Sequence, residues 1–331
     1  MKILFIGGTG NISTEVSKLC IEKNYELYLL NRGKRNIKIS GAKEIICDIS
    51  NYDNCSIALD KHNWDVVVNW IAFTKNDIDR DLKLFTGKTK QYIFISSASA
   101  YQKPPSSPII TESTPLENPF WQYSRDKIEC EKTLMIEFQS KQFPVTIVRP
   151  SLTYDTVIPV PIGGWNEYTV VDRIKTGRKI IVHGDGTSLW TITHAKDFAK
   201  GFIGLIGNIK AIGESFHITS DEILTWNQIY EAIAEAINNE PNIIHIPSDF
   251  IGKYDEHLKC SLLGDKSYSV IFDNTKIKKF VPDFKATIPF KIGIKETINW
   301  FEAKQERKII KQESNNLIDK IINDYEEIFL R

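Results

Sequence analysis

An apolar run, Ile3-Leu4-Phe5-Ile6, stops abruptly at Gly7-Gly8-Thr9-Gly10, and a helical pattern then begins with Ile12, Val16, Leu19 and Ile21 apolar. This order reads as strand, glycine turn, helix. Glycine takes positive φ readily and lets a ligand approach the backbone. The helix that follows offers unpaired N–H groups and the positive end of its dipole. Together they describe a seat for the pyrophosphate of a dinucleotide at the top of a parallel sheet. Gly7, Gly8, Thr9, Gly10, Asn11 and Ile12 are the expected contacts. Ser13 stands where the third glycine of the fingerprint would be; it is small, which suits close helix–strand packing.

The next apolar run is Leu27–Leu30, followed by Asn31-Arg32-Gly33-Lys34-Arg35. In a dinucleotide fold the end of the second strand meets the adenosine ribose. An acid there would bond the 2′-hydroxyl and repel a 2′-phosphate. Neutral Asn31 with Arg32, Lys34 and Arg35 favours NADP over NAD, the alternative being a solvated basic turn. A third strand around residues 44–47 ends in Asp48-Ile49. Asp48 could accept from the adenine amino group or cap a helix from Asn51 onward.

The run Asp65–Asn69 is continuous and apolar, as in parallel sheets. Trp70-Ile71-Ala72-Phe73 follows at the carboxyl end, where ligands bind. Residues 91–95 form the next strand, ending in Ser96-Ser97-Ala98-Ser99-Ala100-Tyr101. Asn118 or a neighbour can start a helix carrying Tyr123 and Lys127, which at i and i+4 share one face. Val145–Val148 is another strand. The repeated strand–helix order predicts an α/β fold with a doubly wound parallel sheet.

Past Pro150 the regularity loosens. The expected organisation is a dinucleotide-binding domain over 1–150, a smaller interleaved C-terminal substrate lobe over 151–300, and an amphipathic helix over 301–331. In the lobe, residues 179–182 and 215–218 read as strands. Asp197–Leu205 reads as a helix returning to the sheet, and Thr225 caps another from Trp226. The terminal helix carries Ile310, Leu317, Ile321, Tyr325 and Ile328 as a stripe. It is read as docked on its own body, with a homodimerisation helix as the alternative.

Composition narrows the partners. The 331 residues hold 42 Lys and Arg against 42 Asp and Glu, so zero net charge gives no support to nucleic acid or an anionic membrane. No segment reaches the roughly 20 apolar residues of a membrane span, and the opening run is too short for a secretory leader. Five cysteines without a Cys-x-x-Cys read as reduced thiols in the cytoplasm. The six histidines lack metal-ligand spacing, so no metal is expected.

With the glycine loop, Ser97 and Tyr123-x-x-x-Lys127 in this order, the chain resembles the short-chain dehydrogenase/reductase superfamily. More narrowly it resembles the extended or atypical branch, the NAD(P)-dependent epimerase/dehydratase family. The resemblance covers nearly the whole chain. It implies a Rossmann-like fold and hydride transfer between a small-molecule substrate and a nicotinamide cofactor. It implies Tyr123 as acid/base, and Lys127 as the ammonium that favours the phenolate and holds the nicotinamide ribose. It implies Ser97, four residues before Tyr101, as the hydroxyl that fixes the reacting oxygen, with Ser96 and Ser99 as fallbacks.

The departures bear on the substrate. Sugar-nucleotide dehydratases of the family carry an Asp-Glu pair where this chain has Ala98-Ser99. The Asn that contacts a nucleotide sugar is Leu152, and the Arg that clamps a diphosphate is Trp190. A guanidinium and an indole are not interchangeable for an anion. A nucleotide-diphosphate sugar is therefore not the expected substrate. Trp165, Trp190 and Trp226, with Trp70 and Phe73, hint at an apolar or aromatic ligand, with core packing the alternative for at least half of them. His194 and Asp197 match a family helix start whose role is structural. The competing reading is a non-catalytic NADP(H)- or RNA-binding member of the same fold.

Overall fold

The apolar runs become strands of one parallel sheet in the computed structural model, which describes residues 1–34 and 37–329. The strands are β1 (Lys2–Ile6), β2 (Glu26–Asn31), β3 (Lys43–Ile46), β4 (Val66–Asn69) and β5 (Tyr92–Ile95), joined by Val145–Pro150 and Ser215–Ile218. Their spatial order is Ser215–Ile218, Val145–Pro150, β5, β4, β1, β2, β3. Every neighbouring pair is parallel. The central strands are apolar along their whole length because helices cover both faces. The chain winds outward from β1 in both directions, so the crevice beyond β1 and β4 is the topological switch point where such folds bind ligands.

Helix α1 (Ser13–Glu22) lies on one face with Ala195–Ile203, through Val16, Phe198 and Phe202. Helices α2 (Tyr52–Leu59), α3 (Lys75–Phe85) and α4 (Gln122–Lys141) cover the other, through Leu59, Phe85 and Leu134. The lobe after Pro150 is woven into this body. Ser215–Ile218 pairs with Val145–Pro150 as the seventh strand. The helix anticipated from Asp197 starts at Ala195, because His194 caps it by accepting from the Lys196 amide. Thr225 caps Trp226–Glu235 with a capping box completed by Gln228.

Several local expectations are corrected. Cys47 and Cys55 are paired as a disulfide, whereas Cys20, Cys130 and Cys260 are free. The turn between β3 and α2 brings the pair together over eight residues, a spacing with no sequence signature. The cap of α2 is Asn51, not Asp48; Asp48 instead accepts from the Ser50 amide and hydroxyl. Asn118 does not start α4 but turns the chain ahead of it, accepting from the Phe120 and Trp121 amides.

The terminal helix spans Gln312–Phe329 and docks on its own body. Arg173 bonds Asn315 and Asp319, and Ser314 bonds Glu167. Its buried face is Ile318, Ile321 and Ile322, while Ile310 and Ile328 are exposed. Leu317 and Tyr325 of the expected stripe are partly buried against the same cluster, whereas Ile310 precedes the helix. Among the described residues no helix is long and apolar enough to cross a membrane, and no group of His, Cys, Asp and Glu could hold a metal.

Candidate active site

A cleft of about 910 Å³ opens at the carboxyl ends of β1 and β4. Its floor is the glycine turn. Gly7 sits at φ +94° and Gly8 at φ +102°, and a Cβ on Gly8 would lie 2.7 Å from Leu29 Cδ2. Only glycine fits so tight a turn at such φ. Ser13, in the third glycine's place, is buried, and its hydroxyl accepts from the Gly10 amide at 2.8 Å.

Beside the turn, Asn11 Nδ2 donates to the Thr153 carbonyl at 2.8 Å. That bond ties the loop to the lobe. Asn11 Oδ1, Trp70 Nε1 and Ser96 Oγ are buried with no hydrogen-bond partner. All three residues line the cleft. Orphaned buried polar atoms around a left-handed glycine cradle suit a polar, phosphate-bearing ligand such as a dinucleotide.

The wall after β4 is held from below. Asn69 Oδ1 accepts from the Ile71 amide at 2.8 Å, and Asn69 Nδ2 donates to the Asp81 carboxylate. Asp81 also accepts from the Tyr92 hydroxyl at 2.6 Å and pairs with Arg80. Burial raises the Asp81 pKa while Arg80 opposes the rise.

Of the expected cofactor residues, Gly7, Gly8, Thr9, Gly10, Asn11, Ile12, Asn31, Arg32, Lys34, Asp48, Ile49, Trp70 and Ile71 line the cleft. Ala72 does not: its side chain is buried beneath the wall, and its carbonyl takes the Lys127 ammonium instead. Arg35 lies outside the described residues. Arg32 and Lys34 lower the Asp48 pKa, after the larger effect of its bonds to Ser50.

Ser97, Tyr123 and Lys127 converge on the same cleft. Ser97 caps the short turn Ala98–Ala100 after β5, so its hydroxyl is fixed by accepting from the Ser99 amide. The hydroxyls of Ser97 and Ser99 lie 2.9 Å apart, and Ser124 donates to Ser99 at 2.8 Å. Burial raises the Tyr123 pKa, a side-chain hydrogen bond with Ser97 opposes the rise, and the Asp265 carboxylate adds to it.

Lys127, expected to favour the phenolate, is not among the groups that set this direction. The Lys127 ammonium lies 5.8 Å from the Tyr123 ring centre and donates to the Ala72 and Ile95 carbonyls at 2.6 and 2.8 Å. Its charge is committed to those carbonyls and to the faces of Phe73 and Phe94.

Burial brings Lys127 from 10.5 down to about 8. Below about pH 8 the folded and unfolded chains both carry the proton, and the full cost of burying the charge applies. Between about 8 and 10.5 the folded chain sheds it first, so stability should rise with pH in that window. Denaturant unfolding of wild type and Lys127→Met across this range should show the wild type gaining on the variant. A constant difference would contradict the buried ammonium.

The aromatic residues divide. Trp70, Phe73 and Trp165 line the cleft. Trp190 and Trp226 are core, with ring centres 5.4 Å apart. Trp190 therefore packs in the core and does not line the cleft. Sequence reasoning missed Trp121, His257, Asp265, Ser151 and Thr153 in the lining. His257 and Asp265 come from the segment Glu256–Lys266, far along the chain, and no spacing pointed to them. Trp121, two residues before Tyr123 at the mouth of α4, was the one within reach of the motif; the two ring centres lie 5.1 Å apart.

A family model described as the NAD dependent epimerase/dehydratase family matches residues 80–219. The chloroplast stem-loop binding protein of 41 kDa b of Arabidopsis thaliana is 29% identical over 265 residues, 75% of this chain and 67% of that protein. The 2′-dehydrokanamycin reductase of Streptomyces kanamyceticus is 20% identical over 286 residues, 86% of this chain and 80% of that protein. Among solved structures, the epimerase Mth375 of Methanothermobacter thermautotrophicus superposes with a TM-score of 0.75 at 14% identity, covering 92% of this chain and 93% of that one. That likeness is one of fold.

Proposed function

We propose that the chain, whose residues 80–219 match the family model described as the NAD dependent epimerase/dehydratase family, is a nicotinamide-dinucleotide-dependent oxidoreductase or epimerase of a small molecule, with Tyr123 as its acid/base. The observation that carries the reading is the convergence of Ser97, Tyr123 and Lys127 on one cleft with the glycine turn. The bound nicotinamide supplies or accepts hydride. The protein's part is to hold the substrate oxygen and move its proton. The Ser97 hydroxyl, fixed by the Ser99 amide, is placed to hold that oxygen. The buried Tyr123 phenol keeps its proton at neutral pH and can donate it to an oxygen that gains hydride on its carbon. The same phenol takes the proton back in the reverse direction. Lys127 anchors α4 to the carbonyls of β5 and the β4 loop, and so fixes where Tyr123 points.

Arg32 and Lys34 at the adenosine end, with Asn31 in place of an acid, favour NADP. Asn31 Oδ1 is occupied by the Gly33 amide at 3.0 Å, which shapes the turn presenting the two cations. Arg32→Asp should weaken NADPH by roughly tenfold or more, the worth of a charge-assisted contact, and leave NADH less affected. Calorimetry with both nucleotides measures this. Equal loss for the two would remove the 2′-phosphate assignment, and no heat from either would remove the cofactor reading.

The name of the Arabidopsis relative favours a second reading, nucleic-acid binding on this fold. It expects a salt-dependent RNA mobility shift indifferent to Tyr123. The zero net charge weighs against it.

A further inference from the structure

One side chain in the cleft has no part in the chemistry above and is held there against its own preference. Trp165 is 45% exposed and sits at φ +60°. A bulky residue in the left-handed region is an outlier that persists only where its surroundings impose it. Here they do. The Trp165 amide donates to the Ile158 carbonyl at 2.6 Å, and its carbonyl accepts from the Ile158 amide at 2.9 Å. A Cβ on Gly164 would lie 2.5 Å from Val160 Cγ2 and 2.8 Å from the Ile158 carbonyl, so the turn admits only glycine there. The terminal helix closes on the same loop, with Ile318 against Gly163. Ile158, Val160 and Ile162 are buried while the largest side chain of the loop faces the cleft.

The chemistry of the lining says what such a face would meet. Among the described residues, the cations that line the cleft are Arg32, Lys34 and Lys127. The first two stand at the adenosine end, and the third is committed to two carbonyls. Lys266 pairs with Asp265 at 3.3 Å and does not line the cleft. A diphosphate in the remaining part would find no guanidinium or free ammonium. A hydrocarbon ring would cover Asp265, His257 and Thr153 without offering them hydrogen bonds, at a cost. A ring with apolar C–H faces and a rim of hydroxyls meets both demands: its faces lie on indole and its rim on the polar groups.

We propose that Trp165 is the stacking platform of the substrate site, and that the substrate is an unphosphorylated glycoside. This rests on the reading that Tyr123 reacts in the same cleft. Trp165 is thus a specificity-determining residue, separate from the hydride and proton steps.

Calorimetry on the full chain loaded with NADPH tests it, with kanamycin, methyl β-D-glucopyranoside and UDP-glucose as probes. At least one of the two unphosphorylated glycosides should bind, and more tightly than UDP-glucose. Trp165→Ala should weaken that glycoside about tenfold or more, as removal of a buried aromatic anchor does, and leave NADPH unchanged. Trp165→Phe keeps a ring at the site and should retain most of the affinity, which separates lost stacking from a disturbed loop. Tighter UDP-glucose binding, no binding of either glycoside, or an unaltered glycoside affinity in Trp165→Ala would each overturn the proposal. The glycosides are also titrated without NADPH. Failure of NADPH to bind, with Trp165-dependent glycoside binding intact, would break the cofactor reading and leave this inference standing.

Discussion

Tyr123→Phe should lower kcat by about 10²- to 10⁴-fold, the usual worth of a positioned acid or base, and leave NADPH affinity unchanged. The substitution removes one oxygen and keeps the ring. The ring packs against Trp121 and Phe73, with centres 5.1 and 6.3 Å away, so the mouth of the cleft keeps its shape. Substrate affinity should fall little, because the phenol's contribution lies in the transition state. Steady-state kinetics with calorimetry of the cofactor checks both halves. Unreduced turnover would mean that another group carries the proton. Ser99 is the alternative the geometry offers, since its hydroxyl bonds that of Ser97. Ser97→Ala should act in the same sense but more weakly, because it removes both the bond that opposes the rise in the Tyr123 pKa and a contact to the reacting oxygen.

What could be read from the chain is what depends on local order. The strand–turn–helix at the start required only neighbours: an apolar run, glycines able to take positive φ, and a helical period. The Tyr123–Lys127 spacing put both side chains on one face of α4 in the same way. The pairing of Ser215–Ile218 with Val145–Pro150 is long-range, yet Ser215–Ile218, where polar and apolar residues alternate, was legible as a strand.

The rest depends on tertiary arrangement. Nothing in the order of residues distinguishes Trp165, exposed in the cleft, from Trp190 and Trp226, which pack on each other in the core. Spacing does not reveal that the Tyr123 phenol is buried, which raises its pKa, nor what else the Lys127 ammonium bonds. Lys127 meets two carbonyls that come from β5 and the loop after β4. Cys47 and Cys55 read as free thiols because only the turn after β3 brings them together.

The second large effect concerns what holds α4 on the sheet. Glu131, one turn beyond Lys127, is buried and paired with Arg149 at the end of Val145–Pro150, with Nη2 2.6 Å and Nε 2.9 Å from the carboxylate. Arg149 Nη1 donates to the Tyr101 hydroxyl at 3.2 Å, and that hydroxyl meets His217 Nδ1 at 3.0 Å. One network therefore joins α4, the turn after β5, and the sixth and seventh strands. Glu131→Ala leaves the guanidinium buried without a counter-charge, and should cost about 3–5 kcal/mol of stability. The lower midpoint should appear in urea unfolding. The pair need not itself be a large net gain, since the desolvation of two charges offsets much of their attraction. The double variant Glu131→Leu/Arg149→Met should therefore recover most of what Glu131→Ala loses. If the double variant is instead no more stable than Glu131→Ala, the uncompensated charge is not the cause, and the bonds from Arg149 to Tyr101 and the Glu112 carbonyl carry the effect.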